Sequence, residues 1–419
     1  LFVVLMAGGL FVQVILLALR GTGDVLTLKT WAMQSVDSTF SAYARPTPSP
    51  EWQRPDYPPV AILVLNAAAK IGTWIDPSLE VQSRLLTVLV KLPVLLSRAC
   101  LVWVLYTLVR RSGTTIESAR LSAVVLWLNP ALIVNGPALG YFDALCWSSG
   151  LLALLLAGRG YPAAAGALAA VATLTKPQGV FFLMVIVIAS TKELRRFCRT
   201  VVGGVSMSFA VMAPFVWYSN WSSMLRGLSQ NFDEDMLSAH ALNFWWVVTA
   251  VARVIRYGEE VFQKPVLYLS LMRFGEETGW QPRLAAALLV IASAVWIAWS
   301  IRRTADATRL AAATALIVHV YFVFGISVHE NHLIYAIPAL GIAAIHVRSY
   351  RFLLAAVSLL AMLNMLAFYG FGRDFAQPER TGWFLPITTT LALAVIGLLM
   401  VHVREFLRVR RAQPPEALI

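Results

Sequence analysis

The sequence predicts an all-α polytopic membrane protein, and three observations carry that prediction. Of its 419 residues 58% are hydrophobic and only 13% are charged. The mean hydropathy is +0.70. Apolar runs of helical length recur along the whole chain. So little polar surface excludes a soluble globule. Repeated apolar helical runs are what a bilayer demands of a spanning chain, because each helix satisfies its own backbone.

About twelve spans are expected, near 1–19, 84–109, 119–136, 140–157, 161–174, 178–190, 200–218, 284–301, 310–327, 332–347, 352–370 and 384–402. The fold expected from them is a bundle of about 11–13 transmembrane helices in one integral-membrane domain, 1–419. The runs at 161–174 and 178–190 are short for a ~30 Å hydrocarbon core. The run at 1–19 reads as the first span and not as a cleavable signal. The three cysteines, Cys100, Cys146 and Cys198, show neither metal-ligand spacing nor a disulfide framework.

The formal charge is +12, and its distribution is a topology signal. Basic residues gather in alternate connections: Arg110 and Arg111; Arg159; Lys192, Arg195, Arg196 and Arg199; Arg302, Arg303 and Arg309; Arg348 and Arg351; and the tail with Arg404, Arg408, Arg410 and Arg411. Such short basic loops are expected on the cytoplasmic side. The acids Asp24, Asp37, Glu51, Asp56, Asp233, Glu234, Asp235, Glu259, Glu260, Glu276, Glu277, Glu330 and Asp374 fall in the opposite loops. Nucleic acid is therefore not the expected partner; the lipid bilayer is. The same rule places the apolar stretches 59–69 and 243–256 as interfacial or re-entrant helices within two large outer loops, 20–83 and 219–283. It leaves 403–419 as a basic cytoplasmic tail.

Six constellations hold chemistry. Gly23-Asp24, followed by Trp31, puts a carboxylate at an expected helix start, where backbone N–H groups favour the ionised form. A carboxylate there can cap the helix or accept a proton from a hydroxyl. Asp56-Tyr57-Pro58-Pro59 fixes an acid and a phenol at a stiffened helix mouth. Arg84, Lys91 and Arg98 recur every seven residues, on one helical stripe, and the last two fall in an apolar run. Intramembrane cations face a cavity or a partner, and a lipid phosphate suits the stripe. Leu174-Thr175-Lys176-Pro177-Gln178-Gly179 breaks two short apolar runs with a compact cation. Ser327-Val328-His329-Glu330-Asn331-His332 has HExH spacing, not the HExxH of zinc proteases; its histidines suit phosphate binding or proton transfer. Phe232-Asp233-Glu234-Asp235 with Asn243-Phe244-Trp245-Trp246 combines acids, which accept sugar hydroxyls, with rings that stack on sugars or sit in an interface belt. Asn135 and Asp143 lie at another outer junction.

In this order the motifs resemble the GT-C superfamily of membrane glycosyltransferases. The nearest likeness is to the dolichyl-phosphate-glucose-dependent glucosyltransferases of the lipid-linked oligosaccharide pathway and their prokaryotic relatives. The resemblance rests on Gly23-Asp24 with Trp31, Asp56-Tyr57-Pro58-Pro59, Lys176 with Gln178, the segment from Phe232 to Trp245, and Val328-His329-Glu330. It implies a GT-C type bundle and an inverting transfer of one hexose from a polyprenyl (dolichyl-type) phosphate donor, on the non-cytoplasmic face. The acceptor is a hydroxyl on a glycan, glycolipid or protein. It implies Asp24 as the base; Lys176, His329, Lys91 and Arg98 as donor-phosphate contacts; and Asp56, Tyr57, Asp143, Gln178, Asp233, Glu330 and His332 as acceptor or sugar contacts. No cofactor is expected and no metal ligands are assigned, because Asp24 has no neighbouring acid in a tight DxD pattern. The chain departs from those relatives in its less polar first loop and in Asn331, where they carry lysine. These departures point to a prokaryotic cell membrane, with the endoplasmic reticulum as the eukaryotic equivalent. The alternatives are a transporter or flippase of lipid-linked sugars, which would show inverted repeats, and a transferase of a larger glycan or a phospho-group.

Overall fold

The computed structural model describes residues 1–419 except 45–53, 112–114, 220, 231–233, 267–268, 304–305 and 412–419. Among the described residues the chain forms eighteen α-helices. They divide into two compact units. The first comprises Leu1–Asp233 with the returning segment Phe371–Asp374. The second comprises Glu234–Gly370 with Phe375–Pro415.

The first unit runs through α1 (Phe2–Leu17), α2 (Gly23–Gln34), α3 (Pro59–Ile75), α4 (Arg84–Arg111), α5 (Ile116–Trp127), α6 (Pro130–Ile133), α7 (Asp143–Gly158), α8 (Pro162–Thr173), α9 (Val180–Ser190), α10 (Leu194–Ser219) and α11 (Trp221–Ser229). Prolines open α3, α6 and α8 at their first turns, where a missing N–H costs nothing. Asn129 completes the start of α6 by accepting from Leu132 N–H at 3.2 Å. After α6 the chain widens into a π turn over Val134–Ala138. Such an extra residue in a helical turn is often found at functional sites. Close helix packing depends on small residues. A Cβ on Gly166 of α8 would stand 2.0 Å from the Thr200 carbonyl oxygen, and one on Gly203 would stand 2.0 Å from that of Ala163. Thus α8 and α10 touch backbone to backbone.

The second unit contains α12 (Phe244–Tyr257), α13 (Leu271–Thr278), α14 (Pro282–Ile301), α15 (Ala307–Phe324), α16 (Ala336–His346), α17 (Arg348–Tyr369) and α18 (Phe384–Arg411). Its central element is α15, whose most apolar stretch is 83% buried, against 17% for α10 in the first unit. A helix apolar all round belongs inside, and α15 is that helix here.

A helix stands at each place where a span was expected, but their lengths differ from the expectation. Among the described residues six helices are long and apolar enough to cross a bilayer alone: Arg84–Thr107, Leu194–Ser219, Pro282–Ile301, Ala307–Phe324, Arg348–Tyr369 and Phe384–Arg411. The pair Ile116–Trp127 and Pro130–Ala138, bent by 45°, makes a seventh. The remaining expected spans are apolar helices of 10–17 residues. At 1.5 Å per residue these reach at most about 25 Å. The stretches expected as interfacial helices are the amphipathic α3 and α12. Trp74 at the end of α3 is 85% exposed, as is Ile255 on α12 at 80%. In sequence Trp245 and Trp246 are open to sugar stacking or an interface belt, and their burial speaks against the belt. Both are buried, and Trp245 donates its indole N–H to the Phe324 carbonyl at 2.8 Å. Asn243 beside them caps α12 through Trp246 N–H at 3.0 Å.

Candidate active site

In the first unit α2 begins at Gly23, and Asp24 lies exposed in its first turn, where the helix N-terminus favours a carboxylate. The approach to it is tightly specified. Gly21 has φ +73°, and a side chain there would strike the Leu139 carbonyl oxygen at 2.5 Å. Thr22 N–H donates to that same oxygen at 3.0 Å. The returning segment Phe371–Asp374 straps this loop from the other side. Arg373 N–H donates to the Gly21 carbonyl at 2.9 Å. Asp374 accepts from the Arg20 backbone N–H and lies 3.2 Å from the Arg20 Nε. The Arg373 guanidinium comes within 3.6 Å of where a Gly23 Cβ would stand, so a cation borders the turn that carries Asp24.

Asp56 and Tyr57 enter α3 just ahead of Pro58 and Pro59. The Tyr57 backbone carbonyl accepts from the Tyr43 hydroxyl at 2.5 Å, and Val60 N–H donates to the Leu174 carbonyl at 2.9 Å. These two bonds lay the helix mouth beside the Lys176 turn. The Tyr57 ring meets Trp31 of α2 edge-on at 5.4 Å, and the Lys176 ammonium stands 5.0 Å from its centre. Lys176 donates to Asp143 Oδ1 at 2.5 Å, while Asn135 of the π turn donates to Asp143 Oδ2 at 2.9 Å. All three side chains are buried, so both carboxylate oxygens are satisfied where desolvation would otherwise be costly.

The electrostatics follow from this geometry. Burial works against the Lys176 charge, but Asp143 and the Tyr57 phenol outweigh it and hold its pKa above the ordinary lysine value. Burial, with Asp24, Asp143 and Asp56 all close enough to contribute, holds the Tyr57 phenol protonated beyond the usual tyrosine range, against the pull of Lys176. Asp24, Asp56, Tyr57, Asp143 and Lys176 thus form one interacting set. Gln178 is half-buried one turn beyond Lys176.

Lys91 and Arg98, expected as donor-phosphate contacts, are each hydrogen-bonded within the helical scaffold. Lys91 donates to the carbonyls of Leu19 at 2.6 Å, Pro137 at 3.2 Å and Ala138 at 2.9 Å. Arg98 donates to Gln13 and to the Trp127 carbonyl at 3.2 Å, and lies over the Trp127 ring. Both cations are turned to carbonyl oxygens of the scaffold, which is how charge is accommodated at membrane depth.

In the second unit the histidine turn packs on the loop that precedes α12. Ala239 N–H donates to the Val328 carbonyl at 3.0 Å, and Ser327 N–H to the Leu237 carbonyl at 3.2 Å. His329 Nε2 lies 3.1 and 3.2 Å from the two carboxylate oxygens of Glu234. His332 is buried; its Nδ1 lies 3.1 Å from the Tyr321 hydroxyl and faces His329 N–H at 3.4 Å. Glu330 is also buried. Asp235 does not point to a sugar site: it accepts from Ser270 Oγ at 2.5 Å and Met272 N–H at 2.7 Å at the start of α13. Those bonds hold its pKa below the usual carboxylate range. Asp233 lies outside the described residues. His240, stacked on Phe368 at 4.6 Å, has its pKa pushed down to about 4 by burial and by Arg380 and His329. It is therefore neutral at physiological pH and adds no positive charge.

Arg373, Asp374 and Tyr321 were not legible as site neighbours, because no local motif marks them. Among the described residues no three His, Cys, Asp or Glu side chains gather as a metal-ligand set. No curated protein matches the chain. The family model of glycosyltransferase family 87 matches residues 56–325, well over half of the chain and inclusive of Asp56, Tyr57, Asp143 and Lys176. That match, on an all-helical framework with membrane-length apolar helices, makes this chain a member of glycosyltransferase family 87, a membrane glycosyltransferase of the GT-C type.

Proposed function

We propose that this family 87 enzyme transfers one hexose, with inversion, from a polyprenyl-phosphate donor to an acceptor hydroxyl on the non-cytoplasmic face. The observation that carries the reading is Asp24, an exposed carboxylate in the first turn of α2, electrostatically coupled to Tyr57 beside the buried Lys176–Asp143 pair. In the proposed step Asp24 accepts the acceptor's hydroxyl proton. The acceptor oxygen forms a bond to the anomeric carbon as the bond from that carbon to the phosphate oxygen breaks. The electron pair leaves with the polyprenyl phosphate. Because phosphate is a workable leaving group, cations and hydrogen-bond donors can stabilise it without a strong general acid.

Lys176 in the first unit and His329 in the second are proposed as donor-phosphate contacts, each on its own surroundings. Lys91 and Arg98 are proposed to hold the scaffold instead. Asp56, Tyr57, Gln178, Glu330 and His332 are proposed to line sugar or acceptor subsites, and Asp143 to keep Lys176 in place. The proposed chemistry needs no metal, so EDTA should leave transfer unchanged.

The test is transfer from radiolabelled polyprenyl-phosphate hexoses by protein in native membranes, with product mass recorded. Asp24→Asn should lower kcat by about 10²–10⁴-fold at unchanged expression and melting temperature. Full transfer by that variant would remove Asp24 as the base. Movement of the lipid-linked sugar without a new covalent product would replace the enzyme reading with a transporter.

A further inference from the structure

The acid that contacts the histidine turn is Glu234, and its placement is over-determined. Its backbone carbonyl accepts from Ser327 Oγ at 3.2 Å and from Arg283 at 2.5 Å. Ser327 itself sits at φ +55°, a left-handed conformation that a non-glycine residue adopts only when its surroundings hold it there. Its hydroxyl also reaches the Met236 carbonyl at 2.9 Å. The two strips of chain are further pinned where Ala239 and His240 bridge to His329. With the backbone fixed in this way, the Glu234 carboxylate brackets one nitrogen of one ring, His329 Nε2, with its two oxygens at 3.1 and 3.2 Å.

We infer that Glu234 is the positioning residue of His329: its carboxylate takes the Nε2–H, sets the plane of the imidazole, and offsets the charge of the ring when a phosphate is bound at its other edge. This rests on the reading that His329 meets the donor phosphate. A carboxylate fixing one nitrogen decides what the other nitrogen presents to a ligand. The arrangement is not explained by stability. The His329 and Glu234 side chains are 40% and 26% exposed, and exposed ion pairs contribute little to folding. The bonds that shape the loop go to the Glu234 carbonyl and leave its carboxylate out, so replacing the side chain leaves them in place. Sequence reading noted Glu234 only as one of three consecutive acids. Asp235, its neighbour, is spent on α13, whereas Glu234 is turned to the histidine.

The experiment is a double-mutant cycle on full-length protein in membranes, with radiolabelled polyprenyl-phosphate hexose as donor and thermal unfolding measured for each variant. His329→Gln should lower kcat by about 10²-fold. Glu234→Ala should lower kcat by about tenfold or more with KM for the donor little changed, the pattern of an interaction made in the transition state. Glu234→Gln, which keeps an acceptor oxygen, should recover part of that loss. The double variant His329→Gln/Glu234→Ala should be no worse than His329→Gln alone, because a positioning residue has nothing left to position. Glu234→Ala with wild-type kcat, or a loss that multiplies fully onto that of His329→Gln, would overturn the inference while leaving His329 in its role. Wild-type transfer by His329→Gln would overturn the phosphate reading and the inference with it.

Discussion

Lys176 and Asp143 each offset the other's charge. Both are buried, 2.5 Å apart, and Asn135 completes the second carboxylate oxygen. Removing one member strands the other in a desolvated place, which costs about 3–5 kcal/mol, whereas replacing both by apolar groups costs much less. Lys176→Met and Asp143→Leu should each lower the melting temperature in detergent sharply, and the double variant should recover most of that loss. The raised Lys176 pKa fixes the sign of any pH effect: the pair's contribution is present below the ordinary lysine pKa and is lost only as pH climbs above it. Titration of Lys176 should therefore leave wild-type stability unchanged between pH 6 and pH 8. At this scale sequence reading found the residue types and not their partners. Lys176 was legible as a cation at a helix break. That its ammonium is taken by an acid 33 positions earlier was not. Lys91 and Arg98 were legible as intramembrane charges, but the carbonyls that receive them come from three other segments of the chain.

At the scale of elements, the entry to α2 and the exit from the π turn are built against each other. Gly140 adopts φ +84°, and a side chain there would meet Val25 of α2 at 2.3 Å and Lys91 at 2.8 Å. Gly140→Ala should cost about 1–3 kcal/mol and reduce kcat by tilting the helix that carries Asp24. Gly8→Ala in α1, whose added methyl meets nothing within 4 Å, is the matched control and should be neutral or stabilising. Thermal unfolding and transfer assays on the two variants decide this. The helices themselves were largely legible, because apolar run length and proline position are local properties. The inward turn of Trp245 and Trp246 was not. The sequence shows an aromatic cluster after Asn243, but which face of α12 is covered depends on Phe324 and Phe368, far along the chain.

For the whole molecule, the alternation of basic and acidic loops makes a statement about sidedness. Cys198 is exposed among Arg195, Arg196 and Arg199 at the start of α10, and Cys146 is buried. A membrane-impermeant maleimide should therefore label Cys198 in inverted membranes and spare it in intact cells, with Cys146 protected in both. Labelling of Cys198 from outside would reverse the proposed orientation and place Asp24 on the cytoplasmic face. Charge alternation is legible in sequence because it is set loop by loop. The division into two units is not, because it depends on which distant segments pack together.

The strap formed by Phe371–Asp374 bears on synthesis. Its partners, Arg20 and Gly21, leave the ribosome about 350 residues before it. The strap follows only after the whole of 234–370 has been made. Until then the loop before Asp24 lacks the Arg373 and Asp374 bonds that fix it. A nascent or truncated chain ending before residue 371 therefore carries its proposed base in a loop that is not yet fastened, and the geometry around that base is complete only once the strap has been made.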